Sequence, residues 1–306
     1  MRLTVGPIKD LKAWATAARE RIDDRDVVVS VSGGKDSTAV CLLLKEAEIP
    51  FQAIHMDTGW EHPDTEHYVR EVLPGIVGPV KILQGKHGGM VDLVKKKGMF
   101  PSRIRRWCTE KLKALPAREF LATLNDPVNA IGIRAAESRS RSKMTDWEFQ
   151  NNMDCWVWRP IIDWSLADVI AVHQHHGIKP NPLYLRGEGV SRVGCWPCIF
   201  SRKAEIRMIA NTDPERIDFI RQLESDAYES AKARYAKKGE TFESLGYEPP
   251  TFFHSAHGMF PIDKAVAWSR TARGGKRPRN LELFDSGRDG CMRWGMCDTE
   301  PHDGAE

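Results

Sequence analysis

The chain has 306 residues, of which 41% are hydrophobic and 28% charged, and its formal net charge at pH 7 is +3. This composition is ordinary for a globular protein with one large domain, or with a core domain and an appendage. No stretch approaches the roughly 20 apolar residues of a membrane span, and the first residues lack the apolar core of a signal peptide. We therefore expect a cytoplasmic protein without membrane contact. The net charge is too small to argue for nucleic-acid binding by itself.

Apolar strand patterns alternate with helical patterns along roughly the first 180 residues. After a first helix at Leu11–Ile22, strands are predicted at Val27–Val31, Phe51–Met56, Val80–Leu83 and Val128–Ile133. Further helices are predicted at Ser37–Glu46, Thr65–Leu73, Met90–Lys97, Thr109–Leu124 and Leu166–His176. This alternation is typical of an α/β fold with a doubly wound, mostly parallel sheet. Ligands bind at the carboxyl ends of such strands.

Beyond residue 180 the pattern changes to loops rich in proline and glycine, followed by helical patterns. A long charged helix is predicted at Pro214–Lys238, ending before Gly239. We therefore predict a nucleotide-binding α/β domain at 1–180 and a smaller, mainly helical region at 181–306. The basic segment Arg270–Arg279 is expected to contact a nucleic-acid backbone, and a solvated linker is the alternative.

The most informative segment is the loop between the first strand and the helix after it. Its residues are Ser32, Gly33, Gly34, Lys35, Asp36, Ser37 and Thr38. Two glycines permit a tight turn close to an anion, the free amides of the first helical turn favour negative charge, and Lys35 adds a positive charge. The loop is not the common P-loop, because Val29 stands where that motif has glycine and Asp36 where it has Ser or Thr. The pattern predicts a phosphate site, and a chance surface turn is the alternative.

Seven cysteines in a cytosolic chain point to a metal site, a redox site or burial before disulfides. Cys195 and Cys198 form a Cys-x-x-Cys pair, whose thiolates suit iron–sulfur clusters or zinc. Cys41 is expected in the core, and Cys155 is ambiguous. A zinc site could instead join the pair to Cys291 and Cys297, and absence of any metal is the third possibility.

Several blocks resemble the phosphoadenosine-phosphosulfate reductase branch of the PP-loop ATP pyrophosphatase superfamily, whose fold is adenine nucleotide α-hydrolase-like. Besides the loop, they are His55–Gly59 with Pro63 and Thr65, Trp107–Thr109 with Lys111 and Lys113, Gly132–Ser138, and Gly194–Cys198. Within that branch the Trp-Cys-Thr and Arg-x-x-Glu-Ser blocks look most like the sulfur-transfer component of bacterial DNA phosphorothioation systems and its phage relatives.

This resemblance implies an enzyme that splits ATP into AMP and pyrophosphate. Dedicated sulfonucleotide reductases have a degenerate loop and a C-terminal Glu-Cys-Gly block, whereas this chain keeps the full loop and lacks that block. We therefore expect ATP-dependent sulfur transfer to a nucleic-acid acceptor (DNA or RNA) through adenylylation. A sulfur donor such as a cysteine desulfurase and a homo-oligomer are further expectations. The alternatives are a phosphoadenosine-phosphosulfate or adenylyl-sulfate reductase, and a nucleotide-binding regulatory subunit without enzymatic activity.

The resemblance also assigns roles to individual residues. Candidate catalytic residues are Lys35, Asp36, Arg134 and Cys108. Candidate nucleotide-binding residues are Ser32, Gly33, Gly34, Ser37, Thr38, Asp57, Gly132 and Arg139. Candidate ligands of a [4Fe-4S] cluster, with zinc as the alternative metal, are Cys108, Cys195, Cys198 and Cys291.

Charge chemistry refines the roles of five of these residues. Asp36 would fix the loop or help to hold Mg²⁺, the cation expected beside triphosphate oxygens. Asp57 would contact the ribose or a metal-bound water, with helix capping as its alternative. Arg134 and Arg139 would bind the α-phosphate or the acceptor, or else belong to a solvated loop. Basic neighbours, among them Lys113, are expected to lower the pKa of Cys108.

Overall fold

The computed structural model describes residues 6–186, 190, 192–255 and 258–271. Its centre is a six-stranded sheet with the strand order β3-β2-β1-β4-β6-β5. The strands are β1 Val27–Ser30, β2 Gln52–Asp57, β3 Val80–Gln84, β4 Val128–Ile131, β5 Trp147–Gln150 and β6 Cys155–Trp158. All neighbours pair in parallel except β5, which runs antiparallel to β6 at one edge. The predicted doubly wound, mostly parallel sheet is therefore confirmed.

The helices surround this sheet and form a second layer beyond residue 200. They are α1 Leu11–Ile22, α2 Lys35–Glu46, α3 Pro63–His67, α4 Leu73–Val77, α5 Met90–Lys97, α6 Trp107–Thr109, α7 Leu115–Leu121, α8 Leu166–His175, α9 Lys203–Thr212, α10 Pro214–Ala236, α11 Phe242–Leu245 and α12 Ile262–Ser269. A small hairpin of β7 Phe253–Ser255 and β8 Gly258–Phe260 lies between the last two helices. Among the described residues, no helix combines the length and apolarity needed to cross a bilayer.

Two helices predicted as continuous each contain a wider π-helical turn. These turns are Tyr68–Val72 before α4 and Glu110–Ala114 before α7. In both cases a proline, Pro74 or Pro116, occupies the start of the next helix. Proline has no N–H to donate to the carbonyl four residues earlier, so the hydrogen-bond pattern must shift there. The second widened turn follows Cys108 and contains Lys113.

Two large aliphatic and aromatic cores, with a smaller one between the sheet and α7, hold the described layers together. One packs α1, α2 and α8 on the sheet around β1, and it contains Cys41, which is buried as expected. The other joins residues from both sides of position 180, for example Trp60 and Phe100 with Ile209 and Phe252. The division of the chain at residue 180 stays a prediction.

Candidate functional site

The phosphate loop connects β1 to α2, as its sequence predicts. Gly33 has a left-handed φ of 71°, and a Cβ there would lie 2.7 Å from the Val69 side chain. The Ser37 hydroxyl donates to the Gly34 carbonyl at 3.0 Å and accepts the Ser32 N–H at 3.2 Å. Thr38 also donates its hydroxyl to Gly34, at 3.1 Å. These side chains hold the loop in shape at the amino end of α2, where the helix dipole favours an anion.

Three charged groups meet at the start of α2. Lys35 Nζ lies 2.8 Å from one Asp36 carboxylate oxygen, and Arg134 Nε lies 2.6 Å from the other. Burial raises the pKa of Asp36, but the charges of Lys35 and Arg134 outweigh it and hold that pKa below its ordinary value. Burial lowers the pKa of Lys35, whereas Tyr184 and Asp36 raise it, with a net increase. The trio carries one net positive charge, so it suits an anionic ligand.

Gly132 brings the loop after β4 against the start of α2. A Cβ at Gly132 would lie 2.5 Å from both the Asp36 carbonyl carbon and the Ser37 nitrogen. Because the two backbones lie so close together, Arg134 can reach Asp36. Gly132 therefore positions Arg134 by allowing this close backbone packing.

The Gly132→Ala substitution is expected to lower the free energy of unfolding by about 1–3 kcal/mol, because the added methyl group overpacks this contact. Gly75→Ala is the matched control: nothing lies within 4 Å of its added Cβ in α4, so a gain of roughly 0.5–1 kcal/mol is expected. Urea unfolding of both variants measures the difference. Equal effects at the two positions would contradict the close approach at Gly132.

The segment after α8 covers the phosphate loop. Asn181 Nδ2 donates to the Gly33 carbonyl at 3.3 Å and to the Thr65 hydroxyl at 3.2 Å. The Tyr184 hydroxyl accepts the backbone N–H of Lys35 at 3.3 Å, and the Lys35 ammonium lies 5.2 Å from the Tyr184 ring centroid. Sequence reasoning missed both covering residues, because they lie in a proline-rich stretch with no motif.

Asp57 ends β2 and is buried, with its carboxylate engaged by three donors. Arg70 and Gln84 donate to one oxygen at 2.7 and 3.0 Å, and the Gly59 N–H donates to the other at 2.9 Å. The capping alternative is wrong, because the residue that caps α3 is His62. A role for Asp57 in nucleotide binding stays a prediction.

Asp57→Asn is expected to lower the free energy of unfolding at pH 7 by about 1–3 kcal/mol. Burial raises the pKa of Asp57, but Gln84, Gly59 and Arg70 outweigh it and hold the pKa below its ordinary value. The ionised group therefore stabilises the fold above the unfolded-state pKa of about 3.9, and this stabilisation is lost as the pH falls through the lowered pKa. Urea unfolding across the pH range should show the gap to wild type closing in acid. A pH-independent gap would contradict this.

The two arginines after β4 differ in their environments. Arg134 is buried against Asp36, whereas Arg139 is exposed and has no ion pair among the described residues. Their assignment to a nucleotide or an acceptor stays a prediction.

Three thiols from distant parts of the chain line one cavity. Cys108, Cys195 and Cys198 share it with Lys113; the other lining residues are Thr58, Trp60, Met90, Leu112, Pro197, Ile199 and Phe252. Two hydrogen bonds join the segment after β2 to the Cys-x-x-Cys segment. The Trp196 N–H donates to the Trp60 carbonyl at 2.8 Å, and the Trp60 indole N–H donates to the Pro197 carbonyl at 2.9 Å. The Cys-x-x-Cys turn is thereby fixed beside the carboxyl end of β2.

The expected low pKa of Cys108 is wrong. Burial raises the pKa of Cys108 and of Cys198, and the nearby Lys113 ammonium lowers each pKa by less. Lys113 itself has a raised pKa, chiefly because of the Cys195 sulfur, to which it donates a hydrogen bond. The backbone N–H of Phe200 donates to the Cys198 sulfur.

The spacing of the three sulfurs does not suit one zinc ion. Within the described ranges, the one set of three metal-binding atoms that all lie within 4.8 Å of one another belongs to Glu46, His175 and His176. At least one pair of the three cysteine sulfurs is therefore more than 4.8 Å apart. Zn–S bonds of about 2.3 Å would place the ligands of one tetrahedral zinc ion about 3.8 Å apart. Cys291 and Cys297 lie outside the described residues, so the four-thiolate zinc site and the role of Cys291 stay predictions. The contact of Arg270–Arg279 with nucleic acid also stays a prediction, because residues 272–279 lie outside the described residues.

The phosphate loop, its charged trio and the ligand edge of the sheet together form a candidate phosphate-binding site. The model of the phosphoadenosine phosphosulfate reductase domain matches residues 26–201. The chain therefore belongs to the phosphoadenosine phosphosulfate reductase family, as its sequence motifs predict.

The chain is also similar to two relatives and to one solved structure. An uncharacterized 37.8 kDa protein of Escherichia phage 186 is 30% identical over 319 residues, covering 82% of this chain and 90% of the phage protein. The adenosine 5'-phosphosulfate reductase of Allochromatium vinosum is 24% identical, over 56% of this chain and 67% of that enzyme. The phosphoadenylyl-sulfate reductase structure from Candida auris has a TM-score of 0.47 and 16% identity, covering 64% of this chain and 98% of that one.

Proposed function

We propose that this protein is an ATP-dependent sulfur-transfer enzyme that activates an oxygen of a nucleic-acid acceptor by adenylylation. One observation carries the proposal. The thiols of Cys108, Cys195 and Cys198 line a cavity beside the ligand edge of the sheet, and the complete phosphate loop lies at the same edge. An activation site and a sulfur site at one edge of the sheet are the arrangement that two successive steps on one acceptor require.

The activation step uses the charged trio. The loop amides and Lys35 bind the β- and γ-phosphates, and Mg²⁺ is the expected counterion. Arg134 approaches the α-phosphate, and Asp36 orients both cations through its ion pairs. The acceptor oxygen attacks the α-phosphorus, the bond to the bridging oxygen breaks, and pyrophosphate leaves with its charge neutralised by Lys35.

The second step exchanges oxygen for sulfur. A cysteine desulfurase presents sulfur as a persulfide, and a dithiol reductant reduces this persulfide to sulfide while its two thiols form a disulfide. The sulfide attacks the activated centre, AMP leaves with the original oxygen, and this substitution itself changes no oxidation state. The half-buried Lys113 ammonium would stabilise anionic sulfur in the cavity, because it lines the cavity together with the three thiols.

An iron–sulfur cluster fits the donor set of this cavity. Cys108, Cys195 and Cys198 would hold three irons, and the Phe200 N–H to the Cys198 sulfur is the kind of hydrogen bond that tunes such clusters. The three sulfurs do not all lie within 4.8 Å of one another, which favours a cluster over a single zinc ion. A three-cysteine cluster supplies an open iron, which can bind an exogenous sulfur.

Sulfonucleotide reduction is the second candidate, favoured by the family match and the similarity to the Allochromatium enzyme. In that reaction a thiol attacks the sulfur of the substrate, and sulfite is finally released. A nucleotide-binding subunit without catalytic activity would perform neither reaction.

The test incubates anaerobically purified protein with Mg-ATP, radiolabelled cysteine, a desulfurase, a dithiol reductant and an oligonucleotide. The proposal requires label in the oligonucleotide that depends on ATP. Sulfite release from adenylyl sulfate or its 3'-phosphate, without any labelled oligonucleotide, would contradict it and establish the reductase. No turnover in either assay would favour the regulatory subunit.

A further inference from the structure

A basic surface lies next to the thiol cavity. Four consecutive residues, 103–106, are exposed just before buried Trp107 and the cavity residue Cys108. Among them Ile104 is 95% exposed, in the middle of three arginines. Phe200, 42% exposed, follows Cys198 and Ile199 on the other side of the cavity.

Side-chain contacts join these two segments into one patch. The guanidinium carbons of Arg103 and Arg106 lie 5.7 and 5.2 Å from the centroid of the Phe200 ring. The Phe200 N–H donates to the Cys198 sulfur. We call Arg103, Ile104, Arg105, Arg106 and Phe200 the arginine patch. Both chain segments that form it lead directly into the thiol cavity.

The positive charge of the patch is not neutralised within the described part of the chain. Arg103, Arg105 and Arg106 form no ion pair there, whereas Arg70 and Arg134 each bind a carboxylate. Exposed guanidinium groups bind phosphate oxygens through two parallel hydrogen bonds. The patch is therefore complementary to a chain of phosphates.

We propose that the arginine patch binds the backbone of a single-stranded nucleic acid and that Phe200 stacks against one of its bases. This inference rests on the proposed function and names the surface that presents the acceptor to the thiol cavity. An acidic protein would bind through the positive charges alone, and the paired bases of a duplex would not be free to stack on the aromatic ring. The exposed Phe200 ring beside two guanidinium groups favours unpaired bases, which stack on aromatic side chains.

The test measures fluorescence anisotropy of labelled single strands, DNA and RNA, of about 16 nucleotides, the upper site size of common single-strand modules. The Arg103→Gln/Arg105→Gln/Arg106→Gln variant is expected to bind about a hundredfold more weakly at about 0.1 M salt and to lose about 2 units of salt slope. Phe200→Leu is expected to weaken binding at least about fivefold with an unchanged slope.

The control variant Arg118→Gln/Arg234→Gln/Lys238→Gln removes the same charge from exposed positions on α7 and near the end of α10. It should bind like wild type, and circular dichroism with thermal melting checks that every variant folds. Equal losses of binding affinity in both triple variants would overturn the proposed role of the arginine patch. So would full competition by polyglutamate together with an unaffected Phe200→Leu, since an acidic protein would then be the better partner.

The failures of the two proposals are distinguishable. Wild-type protein that cleaves Mg-ATP and labels the oligonucleotide, while the triple arginine variant binds both strands as tightly as wild type, overturns the arginine patch alone. Wild-type protein that binds a strand through the patch but never cleaves ATP overturns the proposed function alone.

Discussion

Replacing Cys195 or Cys198 with serine is expected to abolish an iron–sulfur cluster that anaerobically purified wild-type protein carries. We expect about four irons and four sulfides per chain and broad visible absorbance in wild type. A hydroxyl is a poor substitute for a thiolate, which is the soft ligand that iron–sulfur clusters require. Cys108→Ser should have the same effect, because its sulfur lines the same cavity.

Cys155→Ala is the matched control for these cysteine variants. Cys155 is buried on β6 and does not line the thiol cavity, so its replacement should leave the iron content unchanged. Metal analysis with absorbance spectroscopy makes the measurement. Stoichiometric zinc without iron in wild type would contradict the cluster, and iron retained in Cys108→Ser would remove Cys108 from the ligand set.

Lys35→Ala is expected to slow pyrophosphate release from ATP by at least about 100-fold and to weaken Mg-ATP binding. The lost ammonium neutralises the leaving group in the transition state, and one such contact is typically worth this much. The substitution also leaves Asp36 with Arg134 as its remaining cation. Calorimetry and a coupled pyrophosphate assay measure the two effects.

Lys45→Ala provides the control on the same helix. Lys45 lies in the last turn of α2, where its ammonium donates to the Ile76 carbonyl at 2.5 Å. Its loss should change neither Mg-ATP affinity nor the rate of pyrophosphate release. Undiminished Mg-ATP affinity in Lys35→Ala would disprove the phosphate-binding role of the loop.

Local sequence patterns predicted most of the fold. Helices α1 and α5 begin and end where the apolar spacing predicts, and the four predicted strands all exist. The β5–β6 hairpin was missed because tryptophan and polar residues fill most positions of its strands, where β1 and β4 have mainly aliphatic residues. The π-helical turns escaped prediction because the shift depends on one proline in each helix, while the apolar pattern continues through it.

The candidate site was predictable where a motif is contiguous and not where it depends on tertiary contacts. The loop from Ser32 to Thr38 forms one unit, and its residues identify it. Asn181 and Tyr184 cover that loop from more than a hundred positions away, and the sequence contains no sign of the contact. The raised pKa of Cys108 also arises from burial, which the neighbouring basic residues do not reveal.

The position at which ATP is cleaved tests the proposed enzyme most directly. Phosphorus NMR of a reaction with Mg-ATP, the sulfur donor and an oligonucleotide distinguishes the products. We predict AMP and pyrophosphate in equal amounts over many turnovers, with no more than one pyrophosphate per acceptor site when the donor is left out and none without the acceptor. ADP with inorganic phosphate, or ATP left intact while sulfite is released from a sulfonucleotide, would contradict adenylylation by this protein.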